Sequence, residues 1–267
     1  MVPLLRYAYG SDYINSYCTL IHIDEKVKNH LILYLIATMV NLAPITSALA
    51  VDRLFFSTFD DAGTTLVPQR VIREAYRRLG YEIEIYYLPG ERAIHSANNG
   101  MVDGELYRIA IVKEMYQNLI IVPVPICYIK HSVFTKNANF QPDGWESLKP
   151  FSAISLRGYK YAEKKLKEHG IRYHLVNDFN KMLELLEEGR YDIGLMNMLD
   201  GLKAMKSLGI KDIKALEPPL DSLPLYHFLH RKNKELVPLI GEKLKALKEE
   251  GFVKDVENQV LSELLEE

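Results

Sequence analysis

Four short stretches of the chain set charged and aromatic residues just past apolar runs, where a small ligand could be held. The first is Thr58-Phe59-Asp60-Asp61, in which a ring face and carboxylates could meet an amine; Asp60 or Asp61 capping a turn is the alternative. The second is 86–92, with Tyr87 and Arg92 as contacts unless Arg92 pairs with Glu91 or Glu84 on the surface. The third is Asp103-Gly104-Glu105-Leu106-Tyr107-Arg108, where the Arg108 guanidinium could fork onto an anion or close a buried ion pair with Glu105. The fourth joins Arg157-Gly158-Tyr159-Lys160-Tyr161 to Asn197, the residue after an apolar run. Rings flanked by Arg and Lys suit a flat, sugar-like or otherwise anionic small molecule.

Other chemistries find little support. G-x-S-x-G, HExxH and P-loop motifs are absent, and His95, His131, His174, His227 and His230 show no metal-ligand spacing. The two cysteines, Cys18 and Cys127, form neither a CxxC pair nor a disulfide framework. Neither a catalytic residue, a cofactor nor a metal is therefore expected. With 267 residues, a net charge of -2, 25% charged and 48% hydrophobic residues, the composition is that of an ordinary globular protein. It provides no basic field for a phosphate backbone, which excludes nucleic acid as a partner.

The elements that must position the four stretches alternate between strand and helix, the pattern of an α/β protein with largely parallel sheets. Strands are predicted at 54–58, 82–87 and 102–106, with helices over 67–79 and 91–98 between them. A second series repeats the theme: strands at 152–156, 173–176 and 191–196, and helices over 161–169 and 179–188. Helix ends coincide with Gly80, Gly100, Gly170 and Gly189, residues suited to the left-handed turn that closes a helix. The tail, 234–265, reads as helical with a break at 250–252. Two α/β lobes of similar build follow.

The N-terminus carries a targeting signal. Lys26 and Lys28 precede the apolar run 31–40, and Ser47-Ala-Leu-Ala50 offers an A-x-A site, so cleavage is expected after Ala50. The run is short for a bilayer span of about 20 residues and is broken by Asn41 and Pro44; a signal-anchor helix is the competing reading. Residues 1–25 are long for an n-region and are consistent with an upstream start. No Cys sits just after the apolar run, which argues against a lipid anchor.

Between residues 53 and 260 stand, in order, Leu79-Gly-Tyr-Glu-Ile-Glu with Glu91-Arg-Ala, Asn99-Gly-Met-Val-Asp103-Gly, Glu188-Gly-Arg-Tyr-Asp192 and Leu247-Lys-Glu-Glu-Gly251-Phe-Val-Lys. In their order and spacing the chain resembles the amino-acid-binding type of bacterial periplasmic solute-binding protein (extracellular solute-binding family 3). The resemblance implies a two-lobed type II periplasmic-binding fold with two crossover strands, near 131–135 and 226–230, and a ligand cleft between lobes. Lobe 1 would comprise 52–130 and 226–267, and lobe 2 131–225. The chain would be a periplasmic monomer that captures a polar or anionic solute by cleft closure, for an ABC transporter permease or a membrane sensor kinase or cyclase. A stand-alone sensor or adaptor, or a dehydratase using Glu105 or Asp61 as acid or base, are the alternatives on this fold.

The sequence departs from the family at both amino-acid anchors. Met115 stands where the family places the Arg that binds the ligand α-carboxylate, and Arg108 lies at the strand end instead. Asn197 stands where the family places the Asp for the α-ammonium, and an amide cannot supply the charge a buried ammonium needs. A free amino acid is thereby disfavoured as ligand.

Overall fold

The computed structural model describes residues 52–59 and 63–266. The leader segment and its cleavage site, Cys18, and the candidates Asp60 and Asp61 lie outside the described residues.

The first α/β series begins with β1 (Arg53–Phe59) and a 3-10 turn, Gly63–Thr65, that leads into α1 (Leu66–Arg77). Val67, Val71, Ile72, Ala75 and Tyr76 recur on one face of α1, and all are buried. β2 (Glu82–Leu88), α2 (Gly90–Asn98), β3 (Gly104–Ile109) and the single turn α3 (Val112–Met115) follow. Next comes β4 (Leu119–Thr135), a strand of 17 residues. The second series is β5 (Ala153–Leu156), α4 (Lys160–Glu168), β6 (Tyr173–Val176), α5 (Phe179–Glu187), β7 (Ile193–Asn197) and α6 (Met198–Leu208). A second 17-residue strand, β8 (Lys214–His230), precedes α7 (Leu236–Glu249) and α8 (Phe252–Leu265).

All eight strands join one sheet in the order β2-β1-β3-β8-β4-β7-β5-β6. The outer strands pair in parallel, β1 with β2 and β3 on one side and β5 with β6 and β7 on the other. The two long strands run antiparallel through the middle and tie the halves together. β8 pairs with β3 through its last residues, while β4 pairs with β7 through His131–Phe134. The predicted crossings, 131–135 and 226–230, are the last stretches of these two strands.

Each half has its own core. Phe56, Val71, Ile72, Tyr76, Leu106 and Ile126 pack with Leu244 and Leu247 in the first. Val133, Leu148, Leu166 and Ile193 form one cluster of the second, and Phe134, Ile154, Met182 and Leu186 another. Helix α6 was not predicted; it packs on the second half and reaches the first at the 3-10 turn. There Gly63 allows a close approach, since a Cβ would lie 2.2 Å from the Leu199 carbonyl oxygen. Among the described residues no helix is long and apolar enough to cross a membrane, and no cluster of three or more His, Cys, Asp or Glu side chains could hold a metal ion.

Candidate ligand cleft

A cavity of about 940 Å³ opens between the halves, large enough for a small organic molecule. Its floor is the central pair of long strands, at Ile129, His131, Leu223 and Leu225. The first half contributes Phe59, Thr64, Gly90, Tyr107 and Arg108, and the second Arg157–Tyr161, Asn197 and Asp200. The parallel strands β1, β3, β5 and β7 deliver these residues at or just beyond their carboxyl ends, where side chains and helix N-termini converge.

Arg108 is held from several sides. Its Nε donates to Glu105 Oε1 at 2.7 Å, its Nη2 donates to the Gly90 carbonyl at 2.9 Å, and its guanidinium carbon lies 3.6 Å from the centre of the Phe59 ring. Nη1 makes no hydrogen bond among the described residues. Glu105 is 0% exposed and also accepts from Ser57 Oγ at 2.6 Å. Burial pushes its carboxyl up to about 7, against the opposing pull of Arg108 and Ser57. Arg108 closes the buried ion pair with Glu105 and at the same time borders the cleft. Glu105 itself does not line the cleft, and its oxygens are engaged by Arg108 and Ser57, which leaves it badly placed to act as acid or base on a bound molecule.

Facing it, Arg157, Tyr159, Lys160 and Tyr161 surround the start of α4. Lys160 reaches across the mouth to Glu91, Nζ to Oε1 at 3.2 Å, and both side chains are exposed. The Tyr159 hydroxyl is buried with no partner among the described residues, and burial raises the pKa of this phenol well above its usual value. Asn197 donates through Nδ2 to Asp200 Oδ2 at 2.8 Å, while its Oδ1 is buried with no partner among the described residues. Asp200 also accepts the Thr64 amide at 2.7 Å, so the two halves touch through this carboxylate. Burial raises its pKa, opposed by those two hydrogen bonds.

Two predicted contacts stand apart. Tyr87 is half-exposed and donates to Gln69 Oε1 at 2.7 Å, and Arg92 is exposed on α2; neither lines the cleft. Several lining residues were missed, chiefly Asp200, Tyr107, Thr64 and His131. Asp200 sits three residues past Asn197 in the first turn of α6, a spacing visible in the sequence once that helix is recognised. His131 depends on a partner 90 residues away. It contacts Asp221 Oδ1 through Nδ1, and Asp221 Oδ2 accepts from Trp145 Nε1 at 2.8 Å and Tyr161 Oη at 2.7 Å. These hydrogen bonds hold the Asp221 carboxyl below its usual range despite burial.

No family model matches the chain. An uncharacterized protein of Shewanella oneidensis is 26% identical over 202 residues, covering 71% of this chain and 74% of the relative. Among solved structures, the probable amino-acid ABC transporter extracellular-binding protein ytmK of Bacillus subtilis superposes with a TM-score of 0.67 at 17% identity, over 79% of this chain and 99% of that one. An ancestral arginine-binding protein bound to arginine gives 0.60 at 16% identity, over 78% and 97%. A histidine kinase sensor domain similar to periplasmic binding proteins gives 0.61 at 15% identity, over 79% and 97%. At these identities the likeness establishes the fold: a two-lobed α/β periplasmic-binding architecture.

Proposed function

We propose that the protein is a periplasmic solute-binding protein that captures a small organic anion by closing its two lobes, 52–130 with 226–267 and 131–225, over the cleft. The observation that carries this reading is Arg108 on the cleft lining: a guanidinium fixed by Glu105, the Gly90 carbonyl and the Phe59 ring, with Nη1 making no hydrogen bond among the described residues. Arg157 and Lys160 add positive charge from the opposite wall, whereas the lining carboxylate, Asp200, is already engaged by Thr64 and Asn197. An anion touching both walls stabilises the closed form because only there are both sets of contacts made.

The occupied protein would then address a membrane partner, an ABC permease or a sensor. Of the two altered anchor positions of the family, Asn197 lines the cleft and Met115 is exposed outside it, which favours organic acids over free amino acids. A melting-temperature screen of the purified protein against carboxylic acids, amino acids, neutral sugars and polyamines tests this, because a ligand that binds the native state raises the midpoint by mass action. A rise with acids that is lost in Arg108→Gln is the expected result. A response confined to polyamines or neutral sugars would refute the reading.

A further inference from the structure

The floor of the cleft carries a row of three side chains on adjacent strands. In the β4–β7 pairing His131 stands opposite Asn197, and in the β4–β8 pairing it stands opposite Asp221. Residues directly opposite in a sheet project from the same face, so Asn197, His131 and Asp221 lie side by side. Their hydrogen bonds set the polarity of the row. Asp221 accepts from the indole N–H of Trp145 and the hydroxyl of Tyr161, so it faces His131 as an acceptor and Nδ1 carries the proton. In its neutral form the ring presents Nε2 as a lone pair, and Nε2 has no hydrogen-bond partner among the described residues. The ring is held by Tyr161, stacked at 4.5 Å between centroids, and it borders the cleft. Beside it, Asn197 gives its N–H to Asp200 and leaves Oδ1 buried with no partner among them.

Asn197 and His131 therefore line the same cavity that has the Arg108 donor on its other wall, and each keeps an acceptor atom without a partner among the described residues. The space between is apolar, lined by Ile109, Ile129, Leu223 and Leu225. We infer that the solute is a hydroxyaryl or aminoaryl carboxylic acid whose acid group meets Arg108 and whose distal donor serves His131 Nε2 and Asn197 Oδ1, the one hydrogen of a hydroxyl shared between them or the two of an amine given one to each. The inference rests on the anion reading above and adds the second end of the molecule. A buried acceptor left unpaired discriminates strongly against analogues that lack the matching donor.

Binding of matched acids to the full-length protein tests it: 4-hydroxyphenylacetate and 4-aminophenylacetate, which carry a donor, against phenylacetate and 4-fluorophenylacetate, which do not, by isothermal titration calorimetry. The donor-bearing acids are expected to bind at least tenfold more tightly, with that preference reduced to less than threefold in Asn197→Leu. Equal affinity across the four acids, with all binding lost in Arg108→Gln, overturns the donor site and leaves the anion reading standing. A preference undiminished in a folded Asn197→Leu also overturns the donor site. Failure of all four acids to bind overturns this inference, while a response to other carboxylic acids in the melting screen would still uphold the anion reading.

Discussion

Replacing Arg108 with methionine removes the charge that faces a carboxylate with no exposure to water. Glu105 then retains only the Ser57 hydroxyl, 2.6 Å from Oε2. Breaking a buried ion pair from one side costs about 3–5 kcal/mol, because the remaining charge is neither solvated nor paired. Loss of the guanidinium from the Phe59 face adds up to about 1 kcal/mol, partly offset by thioether–ring contact. The cost depends on pH in a defined sense. In the parent, Glu105 titrates near 7 when folded, above its ordinary 4.5, so its favourable contribution is complete below pH 4.5 and is lost as the pH rises through 7, a change of about 3 kcal/mol.

Without Arg108 the folded-state pKa moves higher still, and the extra loss falls above pH 7. Urea unfolding can be followed by the emission of Trp145, the one tryptophan in the sequence. At pH 8.5 the expected destabilisation is about 3 kcal/mol, shrinking to about 1 kcal/mol at pH 5, where the carboxyl is protonated. The double variant Glu105→Gln/Arg108→Met should recover most of the loss at pH 8.5. Equal destabilisation at both pH values, or a double variant no better than Arg108→Met, would refute a charged pair at the root of the cleft.

Three further outcomes follow from the same geometry. His227 is fully buried, its Nδ1 donating to the Leu106 carbonyl and its Nε2 accepting from the Tyr76 hydroxyl, and burial depresses its pKa to about 4. Its contribution is complete above pH 6.5 and is lost as the pH falls through 4, opposite in sign to Glu105; Glu105→Gln should therefore lose about 1.4 kcal/mol per pH unit between pH 6.5 and 4.5 while the parent changes little, and parallel urea midpoints would contradict this. Gly63→Ala sets a methyl group against the Leu199 carbonyl at the contact between lobes, so small-angle scattering should show a larger radius of gyration, with a stability loss of about 1–3 kcal/mol; an unchanged radius would argue that the contact does not hold the lobes. Finally, Trp145 donates to the carboxylate that orients His131, so ligand binding should alter its emission, and calorimetric binding with unchanged emission would uncouple that network from the cleft.

The alternation of short strands and amphipathic helices was readable because burial of one face imposes a period, and α1, with Val71, Ile72, Ala75 and Tyr76 on its inner face, shows it plainly. The strand-end rule likewise selected Phe59, Arg108, Arg157, Tyr159, Lys160, Tyr161 and Asn197, and all of them border the cleft. It also selected Tyr87 and Arg92, which do not, because a strand end says nothing about which side of the sheet edge a residue leaves from. Helix α6 escaped notice, and Asp200 with it.

Pairing decided the remainder. His131 and Asp221 are 90 residues apart and meet only through the register of β4 against β8; Asn197 joins them through β7. The Glu105–Arg108 spacing left an ion pair and a ligand contact both open, and tertiary packing closed Glu105 off from water in an ion pair while leaving Arg108 on the cavity lining. Local sequence thus determined the elements and which residue types stand at their ends, since periodicity and helix-closing glycines act within a few residues. Which polar atoms are satisfied and which are left facing a ligand was set by long-range strand register, which no local pattern encodes.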